Sequence, residues 1–566
     1  MITRLRKGWV KGAAAVASGL LMWAAFPPQA QVHGMWMALA PLFLVIRRSR
    51  PREAFGWSWL CGMLFWLLTL SWFPAIIRNN GPWFLVLLGQ GALAAWCALF
   101  LAMTGAASAR VWGWAGQTPG WRRVATVAVF DPLLWVGAEV VRGWLFSGFA
   151  WNFLGVSQVD NTALIQVASI TGVYGVSALL VMGNGAVASL LERMAEPFVA
   201  RCRPVPRTTV PAYGWAGRFA RSIESFLPLV VVLAVWFWGM GRIRVWDREA
   251  RRSGVYRIAL IQPNAPCIFE VSDETVRMQW EQLVSQSRLV GAAKPDLVVW
   301  PETAVMGSVP YDTDTMRVIR EGAAAAGAPL LTGALEIEHV KVSRVAPEGC
   351  RYYNAAWLVS ATGETLGCYR KRHLVPFGEY IPGDKLVPWL QRFAPTGVSC
   401  TPGRGPGPLH VARGAGRILS LGPLICFEDT IPALSRGAVR AGARLLVLMT
   451  NDAWFSGSVE PLQHQQQAVF RAVENGVPLV RAANSGVSCV VDAVGRVKRL
   501  ESGEAITDFD GFLVMPVTVP EVPLRAPYTA WGDWVLGIPG AVLLATLLVV
   551  GAVRDRRARR REEDAE

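Results

Sequence analysis

Three segments in the second half of the chain carry side chains able to do chemistry together: Trp300-Pro-Glu-Thr-Ala304, Tyr369-Arg-Lys-Arg-His-Leu-Val-Pro-Phe-Gly-Glu-Tyr380 and Leu424-Ile-Cys-Phe-Glu428. They supply a carboxylate, an ammonium and a thiol in Glu302, Lys371 and Cys426. A thiol nucleophile needs a base to take its proton and a positive group to hold the oxyanion of a tetrahedral intermediate. The trio therefore reads as an acyl-transfer site. Taken singly, each residue has an ordinary explanation as a surface Glu, a surface Lys or a buried inert Cys, so the case rests on the three contexts together.

Those contexts are strand ends. Glu302 follows Leu-Val-Val-Trp-Pro, Cys426 follows Leu-Gly-Pro-Leu-Ile, and Lys371 also comes just after a strand-like run. Such ends are held by a rigid sheet yet stay reachable. From residue 254 onward the pattern predicts strands at 256–262, 296–300, 329–335, 353–359, 417–425, 444–450 and 487–492, with helices at 272–291, 313–326, 430–441 and 460–475. This is an α/β domain.

The rest of the chain has a different solvent. At 566 residues it exceeds what one core supports, and 52% hydrophobic residues, 26 Trp and only 17% charged residues describe a multi-span membrane protein. Apolar segments centre on 12–28, 34–46, 54–76, 82–106, 124–141, 164–191, 225–242 and 531–553, giving eight expected transmembrane helices, the first two being short. The expected domains are seven spans in 1–243, the α/β domain in 244–528, and an eighth span with a basic tail in 529–566.

A net charge of +15 would suggest nucleic acid if it formed a stripe on a soluble face. Instead Arg and Lys collect in short runs between apolar segments, as in 47–52 and 554–561, which fits anionic lipid better than nucleic acid. Every second loop is basic, so the N-terminus is expected inside and the α/β domain on the outer face. A cleaved signal peptide over residues 1–30 is disfavoured, because no small-residue cleavage site follows Pro28.

Asp131, Glu139 and Arg142 lie in the fifth span, where ionisable groups face a bundle interior, and Glu139 and Arg142 are spaced to pair. The segment 148–158 is an aromatic outer loop. Nine cysteines without a Cys-x-x-Cys pair argue against zinc, and a disulfide among Cys350, Cys368 and Cys400 stays open. His464, in the predicted helix 460–475, has no second ligand at helical spacing and is read as a hydrogen-bonded scaffold.

The motifs Pro-Glu, Tyr-x-Lys-x-His-Leu and Ile-Cys-x-Glu resemble the nitrilase superfamily, whose αββα sandwich uses a Glu, Lys and Cys triad on C–N bonds. The string Lys371 to Pro382, together with Thr450-Asn-Asp-Ala-Trp-Phe455 and Gly148-Phe-Ala-Trp151 in a multi-span frame, is similar to the bacterial apolipoprotein N-acyltransferase family. The resemblance implies Glu302 as general base, Lys371 as oxyanion stabiliser, Cys426 as nucleophile, and Glu379 and Glu428 as supporting carboxylates. It implies no cofactor and no metal, a phospholipid acyl donor, an S-diacylglyceryl cysteine at an apolipoprotein N-terminus as acceptor, a monomer, and an inner-membrane enzyme with a periplasmic catalytic domain.

Two positions depart from the family pattern. Phe427 stands where an aromatic hydroxyl is common, and Phe269 is the only aromatic residue where a Trp is usual. Phe427, Trp389 and Trp454 are the expected substrate contacts. The Gly- and Pro-rich stretch 377–411, with Trp389, Leu390 and Phe393, is expected to act as a lid or lipid-admitting arm. Two other functions fit parts of the pattern: a membrane-tethered amidase using the same trio on a small substrate, and a scaffold or transporter with a retired catalytic domain.

Overall fold

The computed structural model describes residues 2–78, 81–116, 120–202, 215–266, 272–305, 307–342, 349–383, 399–413 and 417–563. Trp389, Leu390, Phe393, Cys267 and Phe269 lie outside the described residues, as does much of the expected arm. The chain divides into two compact units, one comprising Met1–Phe73, Pro82–Gly241 and Asp533–Glu566, the other Pro74–Gly81 and Arg242–Gly532.

The second unit is built on β1 (Gly254–Gln262), β2 (Leu297–Val299), β3 (Ser308–Val309), β4 (Leu330–His339), β5 (Cys350–Val359), β6 (Thr365–Arg370), β7 (Leu409–Arg413), β8 (Arg417–Ile425), β9 (Leu445–Thr450), β10 (Leu479–Ala483), β11 (Cys489–Val491), β12 (Val497–Arg499) and β13 (Gly511–Val519). One sheet runs β13-β1-β2-β4-β5-β6 with β3 beside β4, and the other runs β12-β11-β10-β9-β8-β7. Alternation along β1 shows how they stack: Ile258 and Leu260 join Leu421, Val447, Met449 and Val480 of the other sheet in one core. The intervening Ala259 and Ile261 face the opposite way, against Leu283, Val290, Met316 and Ile319 of two helices, Asp273–Gly291 and Thr313–Ala326. Helices Pro432–Arg440 and Glu460–Asn475 pack on the other sheet. The result is a helix–sheet–sheet–helix sandwich.

The helix limits follow from local chemistry. Asp312 caps Thr313–Ala326 by accepting from the backbone of Asp314 and Thr315, and Gly327 stops that helix at φ +62°. Pro461 sits in the first turn of Glu460–Asn475, and Gly476 ends it at φ +63°. Cys350, Cys368 and Cys400 are free thiols, so none of the open disulfide pairings is formed.

Among the described residues five helices, lying wholly or mostly in the first unit, are long and apolar enough to cross a membrane: Trp83–Ala115, Trp121–Arg142, Val173–Ala195, Trp215–Ala250 and Pro527–Arg557. Val32–Ile46, the second expected span, is shorter and is broken into pieces at Met35 and Ala40. The sixth expected span is interrupted at Gly172, with φ +68°, between Ala168–Thr171 and the helix starting at Val173. Small residues set helix spacing: a Cβ on Gly62 would stand 3.0 Å from Ala98, and one on Gly137 would collide with the Gly540 backbone.

The expected Glu139–Arg142 ion pair is not formed among the described residues. Glu139 instead accepts from Trp135 Nε1 at 3.0 Å and from the Leu154 amide at 2.7 Å. Arg142 donates to the carbonyls of Phe149 and Trp151 at 2.7 and 2.9 Å. The aromatic loop after the helix has backbone groups that need partners, and they outcompete a direct clasp. Elsewhere in this unit Arg47 pairs with Glu192 at 3.1 Å, while Arg123 pairs with Glu192 at 2.8 Å and Glu224 at 3.0 Å. Both guanidinium groups lie over the Trp112 ring.

Candidate active site

Three of the polar side chains that meet in the second unit come from strand ends. β2 runs out into Trp300-Pro301-Glu302, β6 into Lys371, and β8 into Cys426. β2 is parallel to β1 and β4, and β8 to β9 and β10, so their carboxyl ends open on a common edge within each sheet.

Glu302 is buried and fully engaged. Its Oε1 accepts from Asn354 Nδ2 at 2.7 Å and from Lys371 Nζ at 3.4 Å, while Oε2 accepts from the Asn451 amide at 2.9 Å. Lys371 is 1% exposed and lies nearer to Glu379, at 2.9 Å. Burial alone would favour its neutral amine, but Glu379 and Glu302 outweigh that and hold its pKa well above the ordinary lysine value. Lys371 is therefore an ammonium at neutral pH, suited to stabilising negative charge and unsuited to acting as a base.

Cys426 stands at φ +52°, a conformation rare for a residue with a Cβ, at the switch from β8 into the turn Cys426–Thr430. The residue keeps some exposed surface. Burial of the thiol among its neighbours nevertheless pushes its pKa well above that of free cysteine; Glu302 pushes the same way and Lys371 offsets only part. The resting group is thus a thiol, and its use as a nucleophile requires proton removal at the moment of attack.

The two expected supporting carboxylates occupy separate places. Glu379 Oε1 accepts from Asn354 at 2.7 Å and its Oε2 from the Val375 amide at 2.9 Å, which folds the 371–380 loop around its own lysine. Glu428 is wholly buried and accepts from the amides of Ile425, Arg372 and His373 and from the Tyr369 hydroxyl, at 2.8 to 3.1 Å. It ties the Cys426 turn to the Lys371 loop. Phe427 stacks at 6.1 Å on His373, and Trp454 is partly exposed in the turn Asp452–Phe455.

A family model described as carbon-nitrogen hydrolase matches residues 257–506, and one described as the apolipoprotein N-acyltransferase N-terminal domain matches 18–186. An apolipoprotein N-acyltransferase of Geobacter metallireducens is 36% identical over 86% of this chain and 85% of its own. One from Azotobacter vinelandii is 31% identical over 98% of this chain and 97% of its own. The chain belongs to the apolipoprotein N-acyltransferase family.

As a member of the apolipoprotein N-acyltransferases it is an acyltransferase and a membrane protein, with a nitrilase-like α/β domain. Among solved structures, a mutant of a Nesterenkonia amidase from the nitrilase superfamily covers 49% of this chain and 93% of its own, at 21% identity and a TM-score of 0.34.

Sequence reasoning missed Asn354 and Asn451. Asn354 interrupts the otherwise apolar run of β5, and a polar side chain in a buried strand is a signal that it has partners to serve. Asn451 acts through its backbone N–H, which leaves no trace in residue type.

Proposed function

We propose that this enzyme moves an acyl chain from a phospholipid to the α-amino group of the S-diacylglyceryl cysteine at an apolipoprotein N-terminus, in two steps through a thioester on Cys426. Glu302 takes the Cys426 proton as sulfur attacks the ester carbonyl. Lys371 faces the oxyanion that forms, and collapse breaks the ester C–O bond, with Glu302 returning the proton to the leaving lysophospholipid oxygen. The acceptor amine then attacks the thioester and gives a proton to Glu302, and sulfur leaves to regain it. An amide is formed and the free thiol is restored.

The observation that carries this reading is the ammonium of Lys371, held between Glu379 at 2.9 Å and Glu302 at 3.4 Å beside a thiol whose titration both Glu302 and Lys371 perturb. Phe427 and Trp454 are proposed as apolar contacts for substrate, and Trp389 with them from its place in the apolar stretch 377–411 that follows Lys371. Both substrates are amphiphiles, and lifting their chains into water costs ~0.8 kcal/mol per CH₂, which favours a site reached from the bilayer. We further infer eight crossings in the inner membrane, the three beyond the five long apolar helices being Ile2–Ala24, Val32–Ile46 and Pro51–Thr69, with the α/β domain periplasmic and the enzyme a monomer.

Mass spectrometry of the full chain after incubation with phospholipid tests the central step. An acyl adduct on Cys426, released by hydroxylamine and absent from Cys426→Ser, is the expected outcome. A chain that transfers acyl groups without ever carrying that adduct would exclude the thioester, and hydrolysis of a small amide with no lipid product would favour an amidase.

A further inference from the structure

Helix Glu460–Asn475 carries a buried group for which the acyl-transfer steps have no use. His464 is 2% exposed, with Nε2 at 2.9 Å from Asp429 Oδ1 and Nδ1 at 3.1 Å from Asp452 Oδ1. A neutral imidazole has one N–H, so only the imidazolium can donate to two carboxylates at once. The other Asp452 oxygen accepts from the Arg481 guanidinium at 2.8 Å.

Donor atoms of Asp452, Glu460 and His464 all lie within 4.8 Å of one another, a spacing that could suit a metal ion. The charges speak against one. Both ring nitrogens already face carboxylates, and a cation would sit beside Arg481. Burial, together with Asp452, pushes the Glu460 carboxyl up to about 8, so at neutral pH it is mostly an uncharged acid. Burial works against the His464 charge, but Asp429 and Asp452 prevail and keep its pKa well above the usual histidine value. Two cations thus face two carboxylates, and the cluster is neutral without a metal.

Its place in the fold gives the cluster a role. Asp429 belongs to the turn that Cys426 begins. Asp452 opens the turn Asp452–Phe455, directly after Asn451, whose amide donates to Glu302. One imidazolium therefore joins the turn bearing the thiol to the turn that holds the carboxylate.

We propose that His464 is a positioning residue of the acyl-transfer site, a charged cross-tie that fixes the Cys426 turn against the Asn451–Asp452 turn and so sets the approach of Glu302 to the thiol. The assignment rests on reading Cys426 as the nucleophile.

The test uses the full-length protein in detergent with His464→Gln, Asp429→Asn and the double variant. Glutamine cannot carry charge and has a single donor group. Hydrogen exchange of 425–431 and 450–455 should rise together, about tenfold, in each single variant, and kcat should fall about tenfold or more with KM changed less than about twofold. The double variant should be no worse than the worse single. Unchanged exchange in either segment overturns the proposal, as does failure of both single variants to fold, which would make the cluster a support of the whole sandwich. If exchange rises in both segments while Cys426→Ala retains full transfer, the tie stands and the nucleophile reading falls.

Discussion

Glu379 lies closer to the Lys371 ammonium than Glu302 does, 2.9 Å against 3.4 Å, so the lysine is anchored mainly by the carboxylate of its own loop. Division of labour follows. A base that must accept and return protons works best when its cationic neighbour is already balanced by another charge, and Glu379 supplies that balance.

Replacing Glu379 by Gln should expose this. Glu379 raises the Lys371 pKa against the opposing effect of burial. Without it, burial regains ground and the lysine loses its proton at lower pH, so the alkaline limb of the kcat/KM profile should move to lower pH. A limb that stays in place would show that Glu379 does not set the lysine's charge.

Glu302→Gln should separate reactivity from catalysis. Glu302 helps to hold the Cys426 thiol above the ordinary cysteine range, so removing its charge lowers that pKa and enlarges the thiolate fraction at mildly alkaline pH. Iodoacetamide should then alkylate Cys426 faster than in the wild type, while acyl transfer falls by about 10²–10⁴-fold for want of a base. Slower alkylation would contradict the charge relationship.

Asn354→Ala removes the donor that bridges two carboxylates, Glu302 and Glu379, at 2.7 Å each. Leaving buried acceptors short of a partner should cost about 1–3 kcal/mol in stability, read by thermal unfolding. Activity should fall more than stability suggests, because the two carboxylates that hold Lys371 lose their common spacer. Unchanged kcat in a folded variant would remove Asn354 from the site.

Gly137→Val tests the helical unit without touching the chemistry. Any Cβ at this position meets the Gly540 backbone, so the two helices must part. Thermal unfolding in detergent should show a loss of about 1–3 kcal/mol from overpacking.

The legible parts of the fold were those in which local chemistry and burial agree. Helices Thr313–Ala326 and Glu460–Asn475 match the expected limits because Asp312, Gly327, Pro461 and Gly476 mark them in the sequence itself. β7 was missed because it is an edge strand with alternate residues exposed, whereas β6 was seen only as the strand-like run before Lys371, since exposed Thr365, Leu366 and Cys368 leave it no clear alternation. β10 was missed because Arg481 interrupts its apolar pattern, and its ion-pair partner Asp452 is distant in sequence. The site was legible where a chemical residue follows an apolar run, as at Glu302 and Cys426. Asn354 and the two turns joined through His464 depend on contacts between remote segments, which no single stretch of sequence displays.

The interlocked charges of the helical unit bear on how the protein is made. Arg47 precedes Glu192 by 145 residues and Arg123 precedes the same Glu192 by 69, so the two guanidinium groups leave the ribosome roughly 3–30 s before that acid at ordinary synthesis rates. During that interval both arginines stand at helix ends, Arg47 capping Ala40–Ile46 and Arg123 in the first turn of Trp121–Arg142, where a guanidinium can stay at the level of the lipid head groups. The early helices can therefore settle before Glu192 emerges and clasps both arginines at once.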